Sequence, residues 1–558
     1  MRKSTLVIIA AAVALAGCTS KESATSAGGG QAGGTVIMVT PGDAVEVFPP
    51  FVNDQVGRWV QDLVFERLAD LKPGLVTKGD QGFAPRLAQK WTWAPDSLSI
   101  AFSLDPRARW HDGTPVTAQD VKYSLDIFKN PKVGSPVTPN ITNIDSISVR
   151  DSLTAVAWFH KRKPEQFYDL AYQLMVMPKH VYDSIPPEQL HTSPTTRKLV
   201  GSGPFRFVSW QPGSRIEFIA DTANYRGRPS LDRVIMTPGD PATGAAQLLA
   251  GQVDLVIAFP VDQVPKLDSS TVARSMIDPQ LAYVFMAMNP HVAKSKTEPN
   301  PVFADIRVRR ALSMAVDRVG MLHNVFGNDG ILSHGPFPMA AGYADSTLRL
   351  PPFDTTAAKA LLDSAGWRAG ADGMRSKNGK PLRFSLMLPS SSLFRRRYGV
   401  LMQEQFRKVG AQVDLDVVDN PTMIRRLLDH DWDAELHAPG VDPSLTGEEQ
   451  FWATRAIGAN GQNFIPYSNP KVDALLDSAI ATFDPAKSKG QSSRAFQMMI
   501  DDAPGIWLYD VTVYDGINRR ITVPTPTISD WWMNLQNWSI PADKRIPRDR
   551  IGLAPAKP

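Results

Sequence analysis

Two repeat lengths of apolar residues run through the chain. In residues 97–104 (SLSIAFSL) Leu98, Ile100, Phe102 and Leu104 occupy alternate positions, which predicts a half-buried strand. Residues 411–418 set Val413, Leu415 and Val417 against Gln412, Asp414 and Asp416, a strand with one wet face. Elsewhere the period lengthens to that of a helix. Val121, Leu125 and Phe128 form a stripe behind Thr117 and Asp120, a pair able to cap each other's backbone at a helix start. Asp305 opens a predicted long helix with Val308, Leu312, Ala315, Val316 and Val319 on one face, and residues 354–366 start on an acid and stop on a glycine. Residues 398–410 turn Leu401, Met402 and Phe406 inward and end on Gly410. Asn469-Pro470 starts a helix that buries Val472, Leu475, Leu476, Ala479, Ile480 and Phe483. Strands and helices alternate without a tandem repeat, the order of an α/β protein.

The first 34 residues follow neither period. Arg2 and Lys3 precede an apolar stretch of about 11 residues ending at Ala16, then Leu15-Ala16-Gly17-Cys18. A bilayer-spanning helix needs ~20 apolar residues, so 1–17 reads as a cleaved secretory signal peptide. The tetrad resembles the lipobox of bacterial lipoproteins, which implies cleavage before Cys18 and acylation at that residue. Residues 18–34, rich in Ser, Gly and Ala, read as a flexible lipidated tether holding an extracytoplasmic body at a membrane. Cys18 is the only cysteine, so no disulfide forms within the chain. Stability must come from core size, which 558 residues with 43% hydrophobic side chains allow. A net charge of +4 over this length offers no basic face for nucleic acid. The basic, Pro-rich end, 541–558, reads as a surface tail.

Catalytic patterns are missing. The sequence has no Gly-x-Ser-x-Gly and no His-Glu-x-x-His, and its nine histidines lack close metal-ligand spacing. Residues 373–380 (GMRSKNGK) imitate a phosphate loop, but they hold five residues between the glycines and run into Pro381, so a hairpin turn is the better reading. Asp414, Asp416 and Asp419 read as a solvated acidic run. With no nucleophile, base or metal constellation, a non-enzymatic protein without cofactor or metal is expected, and an exported hydrolase is the remote alternative.

Residues 110–124 (WHDGTPVTAQDVKYS), preceded by Phe102-Ser103-Leu104, closely resemble a signature of the family 5 extracellular solute-binding proteins of ABC importers. Further pieces follow in family order: Leu87-Ala88-x-x-Trp91, Gly201 to Phe205, Asn224-Tyr225-Arg226-Gly227 and Gly251 to Asp254. Arg307 to Arg318, Ala365-Gly366-Trp367, Tyr467-Ser468-Asn469-Pro470 and Asp502-Ala503-Pro504 complete the series. The resemblance implies an α/β, two-lobed periplasmic-binding-protein clamp (type II, cluster C-like) with an additional inserted domain. It implies a discontinuous domain I (35–75, 200–285 and 510–558), an inserted domain II (76–199) and an opposing domain III (286–509). Residues 282–289 and 508–515 would be the two connecting strands. Closure over a ligand between I and III would present a monomer to an ABC permease and its ATPase subunits.

In peptide-binding relatives an acid holds the α-ammonium and a cation the α-carboxylate. Here the residue aligned with the amino-anchoring aspartate is Pro439, within 436–445 (LHAPGVDPSL), and Asp442 or Asp54 could substitute. Arg396 aligns with the arginine that holds the carboxylate in dipeptide binders. Asn53, Asp54 and Gln55 fall in the loop that reaches the cleft in relatives, and Trp452 and Asn463 flank the segment expected to line the domain III side. Trp531, Trp532 and Trp538 leave room for a stacking pocket. A peptide or peptide-like solute is the expected cargo; an oligosaccharide, a nickel complex, haem or an opine is the alternative.

Overall fold

Two strands, Ala273–Met288 and Gly505–Asn518, lie antiparallel along almost their whole length, from Ala273 opposite Asn518 to Ala287 opposite Gly505. They appear in a computed structural model that describes residues 32–458, 461–524 and 531–550, without the side chains of 531–533. Cys18, the signal segment, most of the tether and the side chains of Trp531 and Trp532 lie outside the described residues.

The pair forms the middle of an eleven-stranded sheet. On one side Leu255–Val256, Thr35–Thr40, Arg233–Pro238, Arg215–Ala220 and Phe205–Gln211 extend it; on the other come Ala434–His437, Arg383–Pro389 and Gln412–Val418, and the eleventh strand, Ile331–Leu332, pairs with Asp510 and Tyr509. The two sides attach to different halves of the pair. Leu255 and Val256 sit opposite Ile517 and Gly516, whereas Ala434–His437 lies along Met288 to Phe285. Between the halves the register slips: Pro279 faces Thr512 and Tyr283 faces Asp510, so residues 280–282 oppose Val511 alone. Pro279 has no N–H to give the ladder, and the displaced segment pairs across instead, Leu281 accepting from the Val441 N–H at 2.7 Å.

A separate four-stranded sheet, ordered Ala88–Trp93, Ser99–Leu104, Thr154–Phe159 and Ile144–Asp151, is inserted into the first lobe. Ile100, Phe102 and Leu104 of this sheet share one buried cluster with Val36, Met38 and Phe218 of the large sheet. The inserted domain and first lobe therefore share one packed core. In the opposing lobe the sheet separates two cores. Val284, Met286 and Met288 face one; Tyr283, Phe285 and Ala287 face the other, the two-residue alternation of a strand.

Asp120 accepts the Thr117 N–H at 2.8 Å and starts Ala118–Lys129, and Asn469 caps Pro470–Ala481. Asn378 and Gly379, both at positive φ, make the hairpin turn inside 373–380. Other expectations need correcting. The long helix from Asp305 is two, Ile306–Met314 and Arg318–Phe326, because the Asp317 carboxylate accepts the Gly320 N–H at 2.9 Å and starts a second helix; Val319 is 65% exposed. The helix predicted from residue 398 begins at Leu393, capped by Ser392, so Arg395, Arg396 and Arg397 lie in its first turns. Phe483 lies beyond the helix Pro470–Ala481 and is 41% exposed.

The described part of the C-terminal segment is no loose tail. Arg520 donates to Asp254 at 2.8 Å, to Asp549 at 2.7 Å and to the Thr35 carbonyl at 2.9 Å, and Arg548 reaches Asp254 at 2.6 Å. The guanidinium thereby ties the first strand, the end of the second long strand and the segment Pro547–Arg550 together in a site where Asp254 and Asp549 are buried. Removing one partner of a buried ion pair strands the other charge. Arg520→Ala should cost about 3–5 kcal/mol in the unfolding transition of the first lobe, read by urea denaturation; a change below about 0.5 kcal/mol would show that Arg548 alone balances Asp254.

Candidate functional site

The two lobes meet through polar groups. Glu165, just before the inserted domain's helix Gln166–Ala171, accepts from Ser444 at 2.6 Å and Thr446 at 3.1 Å across the junction, and from Thr77 of its own lobe at 2.6 Å. The Tyr168 hydroxyl donates to both carboxylate oxygens of Asp442, at 3.0 and 2.9 Å. Lys78 enters the opposing lobe at the end of Pro470–Ala481 and donates to the carbonyls of Ala479 and Ile480, both at 2.9 Å, where the helix dipole is negative. Burial pulls the Lys78 ammonium down to about 8. The Arg162 guanidinium lies 4.2 Å over the ring of Phe483. The structure is thus a closed clamp whose junction is zipped by exchangeable hydrogen bonds.

On the opposing lobe a pocket opens at the edge of the displaced segment. The strand Ala273–Met288 supplies Tyr283 and Phe285, the strand Ala434–His437 supplies Glu435 and His437, and the helix Leu445–Trp452 supplies Phe451 and Trp452. Pro439, Gln462, Phe464 and Ile465 complete it. Glu435 and His437 share a face because they are two apart on a strand; His437 Nδ1 lies 2.8 Å from Glu435 Oε1. Phe285 packs 5.5 Å from the Trp452 ring and stacks on Trp507 at 6.2 Å, and the Trp452 indole donates to the Tyr283 hydroxyl at 3.1 Å. A roomier pocket of about 440 Å³ lies on the other side of Ile465, which lines both. There Tyr467 and Asn469 both donate to Asp502 at 2.7 Å and Arg309 donates to backbone carbonyls, so those side chains join helices to one another.

The model of the bacterial extracellular solute-binding proteins, family 5 Middle, matches residues 82–489. The chain belongs to this family. The oligopeptide-binding protein AppA of Bacillus subtilis is 26% identical over 524 residues, 90% of this chain and 92% of that protein. Its structure with a nonapeptide matches at a TM-score of 0.72 with 21% identity, covering 92% of this chain and 99% of that one. NikZ from Campylobacter jejuni, in complex with Ni(L-His), matches at 0.74 with 24% identity, covering 90% and 99%. These likenesses carry the fold, a two-lobed clamp with an inserted domain.

The residues singled out from the family resemblance do not converge. Asp54 caps the helix Gln55–Val64, accepting from Gly57 at 2.8 Å and Glu46 at 3.3 Å, while Asn53 and Gln55 are exposed beside it. Asp442 belongs to the junction with Tyr168. Arg396 turns back onto the Ser390 carbonyl; its neighbour Arg395 reaches the strand of the pocket, donating to the Leu436 carbonyl at 3.2 Å. Trp452 is a pocket wall. Asn463 is buried and clamps a turn, donating to Ala453 at 3.1 Å and Tyr467 at 2.8 Å. Trp538 is a core residue. Glu165, Tyr168, Glu435, His437 and Glu448 have no local signal in the sequence; Glu435 sits in DWDAELH, where acids alternate with apolar residues as on a half-wet strand. Among the described residues no group of three His, Cys, Asp or Glu side chains could hold a metal ion.

Asp169 and Asp442 are costly to ionise. Burial first, then the charge of Glu165, pushes the Asp169 carboxyl up to about 8, against 3.8 unfolded, with Lys163 opposing and Asp442 adding least. The folded chain then holds a proton that the unfolded chain has lost, so this stability is complete below about pH 4 and disappears as pH rises through about 8. Asp169→Asn should gain thermal stability over the parent progressively between those limits, measured by melting curves across pH; a constant difference would show that Asp169 does not titrate in that window.

Proposed function

We propose that the protein is a lipid-anchored receptor of an ABC importer that captures a peptide between its lobes and presents the closed form to a membrane permease. The observation that carries this reading is the junction itself. Its lobes are linked by two strands that lose register where the lobes divide, and they touch through hydroxyl, carboxylate and ammonium groups that water can satisfy equally well on opening. Such a clamp gains little from shutting empty, so cargo contacts decide the closed population. The working division is 35–75, 200–285 and 510–558 for one lobe, 76–199 for the insertion and 286–509 for the other. The protein acts as an extracytoplasmic monomer and leaves its cargo chemically unchanged.

Peptide is the cargo because AppA, similar over nearly the whole chain, is an oligopeptide-binding protein. A non-peptide cargo is the second reading, favoured by Pro439, whose ring has no charge for an α-ammonium. A ligand at 100 times its dissociation constant stabilises a protein by ~2.7 kcal/mol. Di- to octapeptides should therefore raise the melting temperature by several degrees; peptides without effect beside a nickel chelate or glycan that shifts it would establish the second reading. Cys18→Ala should move the protein from the membrane fraction to the soluble one and abolish labelling by radioactive fatty acid. Retention of label would place the lipid elsewhere.

A further inference from the structure

The pocket on the opposing lobe holds a buried acid, Glu435, whose hydrogen bonding is incomplete. Glu435 is 1% exposed, and while one carboxylate oxygen meets His437, Oε2 has no hydrogen-bond partner among the described residues. Behind the pocket wall, Glu448 is fully buried beside the Tyr283 hydroxyl and the Trp452 indole, and burial holds its carboxyl well above the usual carboxylate range, so it adds no charge to the pocket. The one cation nearby, Arg395, makes no ion pair with Glu435 and spends an N–H on Leu436. A carboxylate oxygen taken out of water without a partner costs free energy that a donor in the pocket would return. The walls are aromatic: Tyr283, Phe285, Phe451, Trp452 and Phe464. Ring faces attract cations and ring edges pack methylenes.

The free space is about 10 Å³, room for a single water, which is also the size of an ammonium head. A guanidinium is too broad for it, and an α-ammonium carries a branched carbon against its head. An unbranched chain leaves its methylenes outside that space, along Phe451 and Phe464 at the mouth.

We propose that this pocket binds the primary ammonium of an unbranched alkyl chain, a lysine side chain of a peptide or a free diamine, with Glu435 receiving the charge and the half-buried Phe451 and Phe464 packing the methylenes at the mouth. The inference rests on the receptor reading above and assigns the cargo's chemistry.

The test uses calorimetric titration of the full chain with a pentapeptide bearing a central lysine, its norleucine and arginine counterparts, and cadaverine. The lysine peptide or cadaverine should bind at least tenfold tighter than the norleucine peptide, and the arginine peptide should bind like norleucine. Glu435→Gln should erase the tenfold advantage and leave the norleucine peptide unchanged; Glu435→Ala, checked by its melting temperature, serves if that variant does not fold. Lysine and norleucine peptides that bind alike overturn the inference and leave the peptide receptor standing. Cadaverine that binds through Glu435 while no peptide binds sustains the inference and removes the peptide reading. Failure of both the lysine peptide and cadaverine to bind overturns the inference.

Discussion

Everything in this molecule is organised by one antiparallel pair of strands that both lobes need. Residues 273–288 and 505–518 give each lobe the central members of its sheet, so neither lobe can complete its core without the other's connection. A continuous ladder would make the two lobes one rigid plate. The slip at residues 280–282, opposite Val511, interrupts that ladder where Pro279 cannot donate, and it frees Leu281 and Ala282 to meet Gly440 and Val441. The same irregularity that lets the sheet bend therefore carries chain to the margin of the pocket.

The rest of the junction is consistent with that role. Apolar burial would lock the lobes shut at roughly 25 cal/mol per Å². The contacts found are instead Glu165 with Ser444 and Thr446, Tyr168 with Asp442, and Lys78 with a helix end, each exchangeable with water at small net cost. Large apolar clusters are kept inside each lobe, where Phe285, Trp452 and Trp507 form the rigid floor beneath the pocket. Rigid bodies and a soft junction suit capture and release of a solute.

Much of this was legible from local pattern. The caps at Thr117, Asp354 and Asn469 and the alternating strand at 99–104 depend on residues a few positions apart, and they appear where periodicity placed them. The family motifs were equally legible, since Asp502, Tyr467 and Asn469 hold helices whose pairing the motif order preserves. What escaped depends on distant partners. Asp317 reads as one more polar residue on a helix until its side chain is seen starting a second one, and the segment 541–550 reads as a tail until Asp549 is seen beneath Arg520. Arg395 and Arg396 differ only in which way one turn of helix points them. Glu435 looks like a surface acid until the strand pairing turns it into an aromatic pocket.

The central claim, that two lobes hinge on the slipped strand pair and close over cargo, is tested most directly by measuring the distance between them. With Cys18 replaced, spin labels at Arg215→Cys on the first lobe and Lys408→Cys on the opposing one can be followed by double electron–electron resonance. The account predicts a broad, longer distribution without cargo that collapses to one shorter distance when a ligand is bound. A single narrow distribution, identical with and without a bound ligand, would contradict it.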